Sequence, residues 1–299
     1  MAETLTEDWT GEDVTIAEIE HRLAELRALA TEGGESPYQR TSVMTHCAWV
    51  PEEWVEAAHE VLAGLAERHP SRTIVLIPDT DSGRDAIDAD ISLQCFPLEG
   101  SHAEAVCAEV VELHLRGPRA KAPGSIVQPL LISDLPAFLR WRGEPPFGMQ
   151  ELEQLVDVVD RIVFDSTEWD DLPYAYGKLA KIFDRVAVSD IAWRRTLEWR
   201  VDLAGLWPGI AQARELRVQG PHAEAFLLAG WLQSRLDLEL RLVHDAADEL
   251  AAVAVDGDEV PRPTGERPSP ADLLSAELDR YGRDRIYEDA VRRAAELSV

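Results

Sequence analysis

Arg161-Ile162-Val163-Phe164-Asp165-Ser166 is the stretch on which the fold turns. A short apolar run closed by an acid and a hydroxyl reads as a buried strand that delivers polar side chains at its carboxyl end. In α/β sheets that end is where ligands and catalytic groups gather. An Asp-Ser-Thr turn after a strand is equally a helix-capping device. The residues leave both readings of Asp165 and Ser166 open, as a base or ligand hook and as a plain cap.

Outward from this strand the pattern keeps alternating. Residues 172–186 and 190–207 read as helices, 215–218 as a strand, 221–235 as a helix and 236–243 as a strand. Gly257 to Pro268 is a Pro/Gly-rich loop, and Ser269-Pro270-Ala271-Asp272 is a helix start with a capping serine. Toward the N-terminus, residues 12–29 carry Ile16, Ile19, Leu23, Leu26 and Leu29 at helical spacing, and Gly33-Gly34-Glu35-Ser36-Pro37 ends that helix. Residues 38–50 are extended, and Pro51 opens a helix to about residue 68. Thr73-Ile74-Val75-Leu76-Ile77 is a second buried strand. Residues 85–96, 107–115 and 136–141 complete the first set of strands, and 149–159 reads as a helix leading out. The expected fold class is α/β, with two α/β sandwich domains whose mixed sheets are flanked by helices. The expected division is an N-terminal helix and linker over 1–37, a first domain over 38–157 and a second over 158–299.

The densest aromatic run is Asp190-Ile191-Ala192-Trp193-Arg194-Arg195-Thr196-Leu197-Glu198-Trp199-Arg200. At about 100° per residue, Trp193, Leu197, Arg200 and Ala204 share a stripe flanked by Leu203 and Trp207. Arg200 then points into an apolar face and needs a buried acid, such as Asp160 or Asp165, or backbone carbonyls. Arg194 and Arg195 fall on the other side, where arginine is a common anchor for a partner.

Composition removes whole classes of function. The 299 residues carry a formal charge of −27, so phosphate backbones and anionic lipid are repelled, and neither nucleic acid nor membrane is an expected partner. Hydrophobic residues make up 45% of the chain, enough for a proper core. No apolar run approaches the ~20 residues of a membrane span, and the acidic N-terminus lacks the regions of a signal peptide. Cys47, Cys95 and Cys107 form no short-spaced pair, which favours reduced thiols and a cytoplasmic location.

No motif for chemistry emerges. Neither glycine-rich nucleotide fingerprint occurs, nor a G-x-S-x-G elbow, nor H-E-x-x-H. The eight histidines are scattered, so no metal site is expected from spacing. Asp79-Thr80-Asp81-Ser82-Gly83-Arg84-Asp85 fails the calcium-loop pattern and reads as a turn. Gly124-Ser125 reads as a helix cap. No catalytic residue and no cofactor is expected.

Ordered segments nevertheless resemble one family. His69-Pro70-Ser71-Arg72 with Ile74-Val75, Asp134-Leu135-Pro136 with Trp141, and Asp160-Arg161-Ile162-Val163 with Asp165-Ser166 are three of its signatures. Asp190-Ile191-Ala192-Trp193 with Arg195 and Trp199-Arg200 is similar to a fourth, and Trp231-Leu232 with Arg235-Leu236 to a fifth. Together they resemble the glucose-6-phosphate dehydrogenase assembly proteins (OpcA type), over nearly everything after residue 38. Two departures stand out: Arg140-Trp141-Arg142 replaces a tryptophan doublet, and Glu198 precedes Trp199. The resemblance implies a non-catalytic subunit that binds glucose-6-phosphate dehydrogenase and promotes its active oligomer in the oxidative pentose phosphate pathway. The expected partner- or ligand-binding residues are Arg72, Trp141, Asp165, Ser166, Trp193, Arg194, Arg195, Trp199 and Arg200. The rival reading is a sugar-phosphate or nucleotide-binding protein or enzyme with a pocket near Asp165, to which Arg72 and Arg200 would also converge.

Overall fold

A computed structural model describes residues 5–32, 42–65, 68–69, 71–97, 105–265 and 267–297. The chain divides into two compact units, residues 1–162 and 163–299. Both mix strands and helices, which makes the fold class α/β with mixed sheets.

In the first unit the order is β1 (Leu5–Gly11), α1 (Ile16–Glu32), β2 (Thr45–Trp49), α2 (Val55–Ala63), β3 (Arg72–Asp79), β4 (Ala86–Pro97), β5 (Ala105–Arg116), α3 (Pro123–Leu130), β6 (Ala137–Trp141) and α4 (Gln150–Val156). The strands lie side by side as β1-β4-β5-β3-β2-β6. β1, β4 and β5 pair antiparallel, whereas β5, β3, β2 and β6 run parallel. β3 is central because its run from Thr73 to Ile77 is buried on both faces, as a parallel strand requires. β4 and β5 alternate: Val111, Leu113 and Leu115 are buried while Glu112 and His114 reach solvent on the other face. On that other face α2 packs Ala58 with Ala48, Val50, Val75 and Ile77 of the neighbouring strands and reaches the edge of β5 through His59.

The second unit holds the end of β7 (Arg161–Phe164), then α5 (Tyr174–Leu179), β8 (Ala187–Asp190), α6 (Ile191–Arg195), α7 (Leu197–Gly205), β9 (Glu215–Gly220), α8 (His222–Leu236), β10 (Arg241–Ala246), β11 (Ala252–Val255), β12 (Asp258–Glu259), α9 (Pro270–Leu278) and α10 (Arg285–Ala294). Its own sheet has the order β10-β9-β11-β12, with β10 parallel and β11 antiparallel to β9. α8 and α10 meet at Gly230, where any Cβ would collide with the carbonyl of Ala290, so only glycine permits this approach. α9 opens with the expected cap: Ser269 and Asp272 exchange hydrogen bonds in a full capping box.

Several expectations need correction. The helix expected over 172–186 forms only at Tyr174–Leu179. The helix over 190–207 is two, meeting at Thr196, and the buried face runs through Trp193, Thr196, Trp199 and Leu203. Leu197 and Trp207 face solvent instead, because the buried stripe is rotated toward Trp199. The strand expected over 236–243 is β10 and starts at Arg241, since Leu236 still belongs to α8 and Asp237 closes that helix in the left-handed region (φ 48°). Gly33 to Pro37 lies outside the described residues. Cys47 is a free buried thiol, but Cys107 is disulfide-bonded and stands opposite Cys95 in the β4–β5 register. Three reduced thiols are therefore not what the chain holds.

Candidate functional site

Two strands of the second unit end in acids. Asp165 follows β7 and accepts hydrogen bonds from the Thr167 amide (3.3 Å) and hydroxyl (2.7 Å), capping a short 3-10 turn. Asp190 ends β8 and caps α6 through the Ala192 amide at 2.9 Å. The two turns are tied together by Ser166, whose amide and hydroxyl donate to Asp190 at 3.0 and 2.6 Å. Tyr176 lies 2.9 Å from the Ser166 hydroxyl, and Tyr287 donates to Asp190 at 3.2 Å. Ser166, Tyr176 and Tyr287 are fully buried. A hydroxyl enclosed in this way is committed to a carboxylate that already accepts several donors, and it ties the two turns together.

Arg195 closes the cluster from α6. Its guanidinium grips Asp165 with two parallel bonds of 2.9 and 2.7 Å, and Glu224 of α8 stands 3.8 Å away. Three buried carboxyls thus share one guanidinium. Burial pushes Glu224 up to about 7 against the pull of Arg195. Burial and then the Asp165 charge push Asp190 up to about 6, despite its hydrogen bonds. Burial works against the Arg195 charge, but Asp165 and Glu224 more than offset it and raise its pKa.

Beside this cluster a cleft of about 730 Å³ opens, with Thr167, Arg194, Arg195, Trp199, Glu224 and Arg262 in its wall. Arg267, also in the wall, is ion-paired to Glu249. The lining carries arginines and carboxylates but no histidine or cysteine, so it suits a polar organic ligand rather than a soft metal.

The expected site residues separate into groups. Asp165, Ser166 and Arg195 come together, and Arg195 is thereby a buried-cluster residue with a third of its side chain exposed, not an open contact arginine. Arg194 is partly exposed on the cleft and forms no ion pair with the described residues. Arg200 takes neither Asp160 nor Asp165. It lies flat on Trp193, 3.4 Å from the ring centre, and donates to the Thr196 hydroxyl (3.0 Å) and the Trp193 carbonyl (3.2 Å). Burial lowers its pKa to about 10. Trp193 donates its indole N–H to Asp284 at 3.1 Å, and Trp199 packs in the core of the second unit.

In the first unit Trp141 is buried against Trp49, stacked at 4.8 Å, and offers no surface. Arg72 is likewise consumed by the core: it bonds Glu109 (2.8 Å), Glu20 (2.8 Å) and the Leu130 carbonyl (2.7 Å). All three contacts lie within the first unit, and Arg72 is buried there. Asp190, Tyr176, Glu224 and Tyr287 were not legible as members of the cluster. The one signal for Asp190 is an acid directly before a helix, at the end of a short apolar stretch.

Comparison with known proteins adds a family. Residues 63–181 match the model described as glucose-6-phosphate dehydrogenase subunit N-terminal domain, and residues 186–291 match the corresponding C-terminal domain. A Synechococcus elongatus protein is 25% identical over 182 residues, covering 58% of this chain and 41% of the relative. A Nostoc punctiforme protein is 26% identical over 183 residues, covering 58% and 39%. Both carry names that assign them to the OxPP cycle as OpcA. The match spans about two fifths of the length of these relatives.

Proposed function

The chain belongs to the glucose-6-phosphate dehydrogenase subunit (OpcA) family, and from that membership we propose that it is a non-catalytic subunit that binds glucose-6-phosphate dehydrogenase and promotes its active oligomer. It would act in the oxidative pentose phosphate pathway, in the cytoplasm. The observation that carries this reading is the paired match: both domains of the family follow in order along one chain. The enclosure of Ser166 and Asp190 agrees with it, since their polar groups are spent on holding two turns together. A binding subunit shifts an oligomer only by its differential affinity for the assembled and dissociated forms. With a net charge of −27, association with a basic face of the enzyme is expected to weaken as salt rises.

The test mixes the purified full chain with the dehydrogenase of its own source. Light scattering follows size while NADPH formation follows rate. A new complex with a larger enzyme oligomer and a changed rate supports the reading. Unchanged size and rate at micromolar concentrations of both overturn it.

The cleft favours a second reading, a polar ligand held near Arg194 and Arg195. Calorimetric titration of the chain alone with glucose 6-phosphate or NADP distinguishes it, because the assembly reading needs no such heat.

A further inference from the structure

The face of β4 and β5 beside α2 carries an arrangement the proposed function does not use. Asp90 and Glu112 are direct cross-strand partners, and His114 lies two residues beyond Glu112 on the same face. Like charges placed opposite one another in a sheet destabilise it unless something compensates. One step along the same face Asp88 has such compensation, since Arg84 and Arg116 both bond it. Among the described residues, Asp90 and Glu112 have no arginine or lysine partner, and their side-chain partners are Thr10, His59 and His114.

Each carboxylate is anchored by one oxygen and turns the other toward His114. The Thr10 hydroxyl donates to Asp90 Oδ1 at 2.6 Å, leaving Oδ2 turned to His114 Nε2 at 4.0 Å. His59 of α2 donates to Glu112 Oε2 at 2.6 Å, leaving Oε1 at 3.4 Å from the same nitrogen. The three donor atoms lie within 4.8 Å of one another. Ligand atoms about 2.0–2.2 Å from a tetrahedral metal are roughly 3.3–3.6 Å apart, so only small side-chain motion separates this triad from a coordination shell. Outer groups that fix the orientation of ligating carboxylates are a regular part of metal sites.

We propose that Asp90, Glu112 and His114 form a binding site for a divalent transition-metal ion of the zinc class, with Thr10 and His59 orienting the two carboxylates. The imidazole selects against magnesium and calcium, which prefer oxygen throughout. Half of the Asp90 side chain is exposed, so the ion enters from solvent and keeps water in its remaining position. The site stands independently of the dehydrogenase reading.

The test is calorimetric titration of the full chain with zinc chloride at pH 7.5, with magnesium chloride as control. One zinc per chain at micromolar affinity or tighter, and no magnesium heat at equal concentration, is expected. His114→Ala should weaken zinc binding at least tenfold, and His59→Ala by about 10–100-fold. His222→Ala, which alters a histidine pair of the second unit (His222 and His244, ring centres 4.2 Å apart), should leave it unchanged. No binding below millimolar zinc, or binding untouched by His114→Ala, overturns the proposal. Glu112→Gln guards against misfolding artefacts: it should raise the melting temperature of the metal-free protein and abolish its rise with zinc. A zinc-induced rise that survives Glu112→Gln overturns the proposal as well.

Discussion

Two buried charge clusters, one in each unit, are built on opposite balances. In the first unit one carboxylate, Glu109, receives two guanidiniums: Arg27 at 2.6 and 2.8 Å and Arg72 at 2.8 Å. Burial alone would raise its pKa, but the two arginines hold it at about 2. In the second unit Asp165, Asp190 and Glu224 share Arg195, and two of the three sit near 6 and 7. The first cluster is saturated and closed among β3, β5 and α1. The second is short of positive charge and borders a cleft. Saturation makes a scaffold, whereas a deficit leaves a region whose charge state responds to its surroundings.

The sharpest break of this contrast is Glu109→Gln. It leaves Arg72 buried with the partly exposed Glu20 as its one charged partner among the described residues. Removing one partner of a buried pair costs about 3–5 kcal/mol, and urea denaturation should show that loss. A loss below about 1 kcal/mol would mean that the cluster is not the scaffold its geometry describes.

The pH dependence should have opposite signs in the two units. Glu109 is depressed from 4.5 to about 2, so its stabilisation is present above pH 4.5 and lost as pH falls toward 2. Glu224 is raised from 4.5 to about 7 and Asp190 from 3.8 to about 6. Their contribution is fully present below about pH 4 and is lost as pH rises through 6 and then 7. Hydrogen exchange should therefore show amides of α8 opening more readily from pH 5 to 7.5, while β5 is unaffected. Glu224→Gln should flatten that trend and stabilise the protein at pH 7.5 by on the order of 1–3 kcal/mol, since one pKa unit is worth ~1.4 kcal/mol. An unchanged slope in the variant would place the titration elsewhere.

Asp165→Asn probes the one strong pair of the deficient cluster. It keeps the shape but gives up the two-pronged bond to Arg195, and should cost about 1–3 kcal/mol at pH 7.5 by urea denaturation. A cost equal to that of Glu109→Gln would erase the distinction between the clusters.

What the sequence revealed follows the same divide. β3, β4 and β5 are legible because continuous and alternating apolar runs each have a period, and the α9 cap because Ser-Pro-Ala-Asp is a local device. β1 was missed because Leu5–Gly11 is polar at most positions, and β8 because four residues are too few to show a period. Asp165, Ser166 and Arg195 were found through their strand end and their aromatic run. Glu224 was not, because an acid in the first turn of a helix is ordinary dipole chemistry until burial is known. Tyr176 and Tyr287 lie 10 and 97 positions from the groups they bond, and no local pattern links them. The same distance in sequence hid Thr10, His59, Asp90 and His114 from any search by ligand spacing.

The smallest expected effect is the most useful for function. Arg194 stands next to Arg195 in sequence, yet it borders the cleft without an ion pair among the described residues, so Arg194→Ala should change stability by no more than about 0.5 kcal/mol. Arg195 lies inside the deficient cluster, and its removal strands Asp165 and Glu224 together. Of the two, only Arg194 can therefore report on binding without also reporting on folding. If the dehydrogenase contacts this wall of the second unit, Arg194→Ala should weaken the complex at unchanged stability, and the loss should shrink as salt rises. If affinity is unchanged, the contact lies on another surface, and the cleft is left to a small ligand.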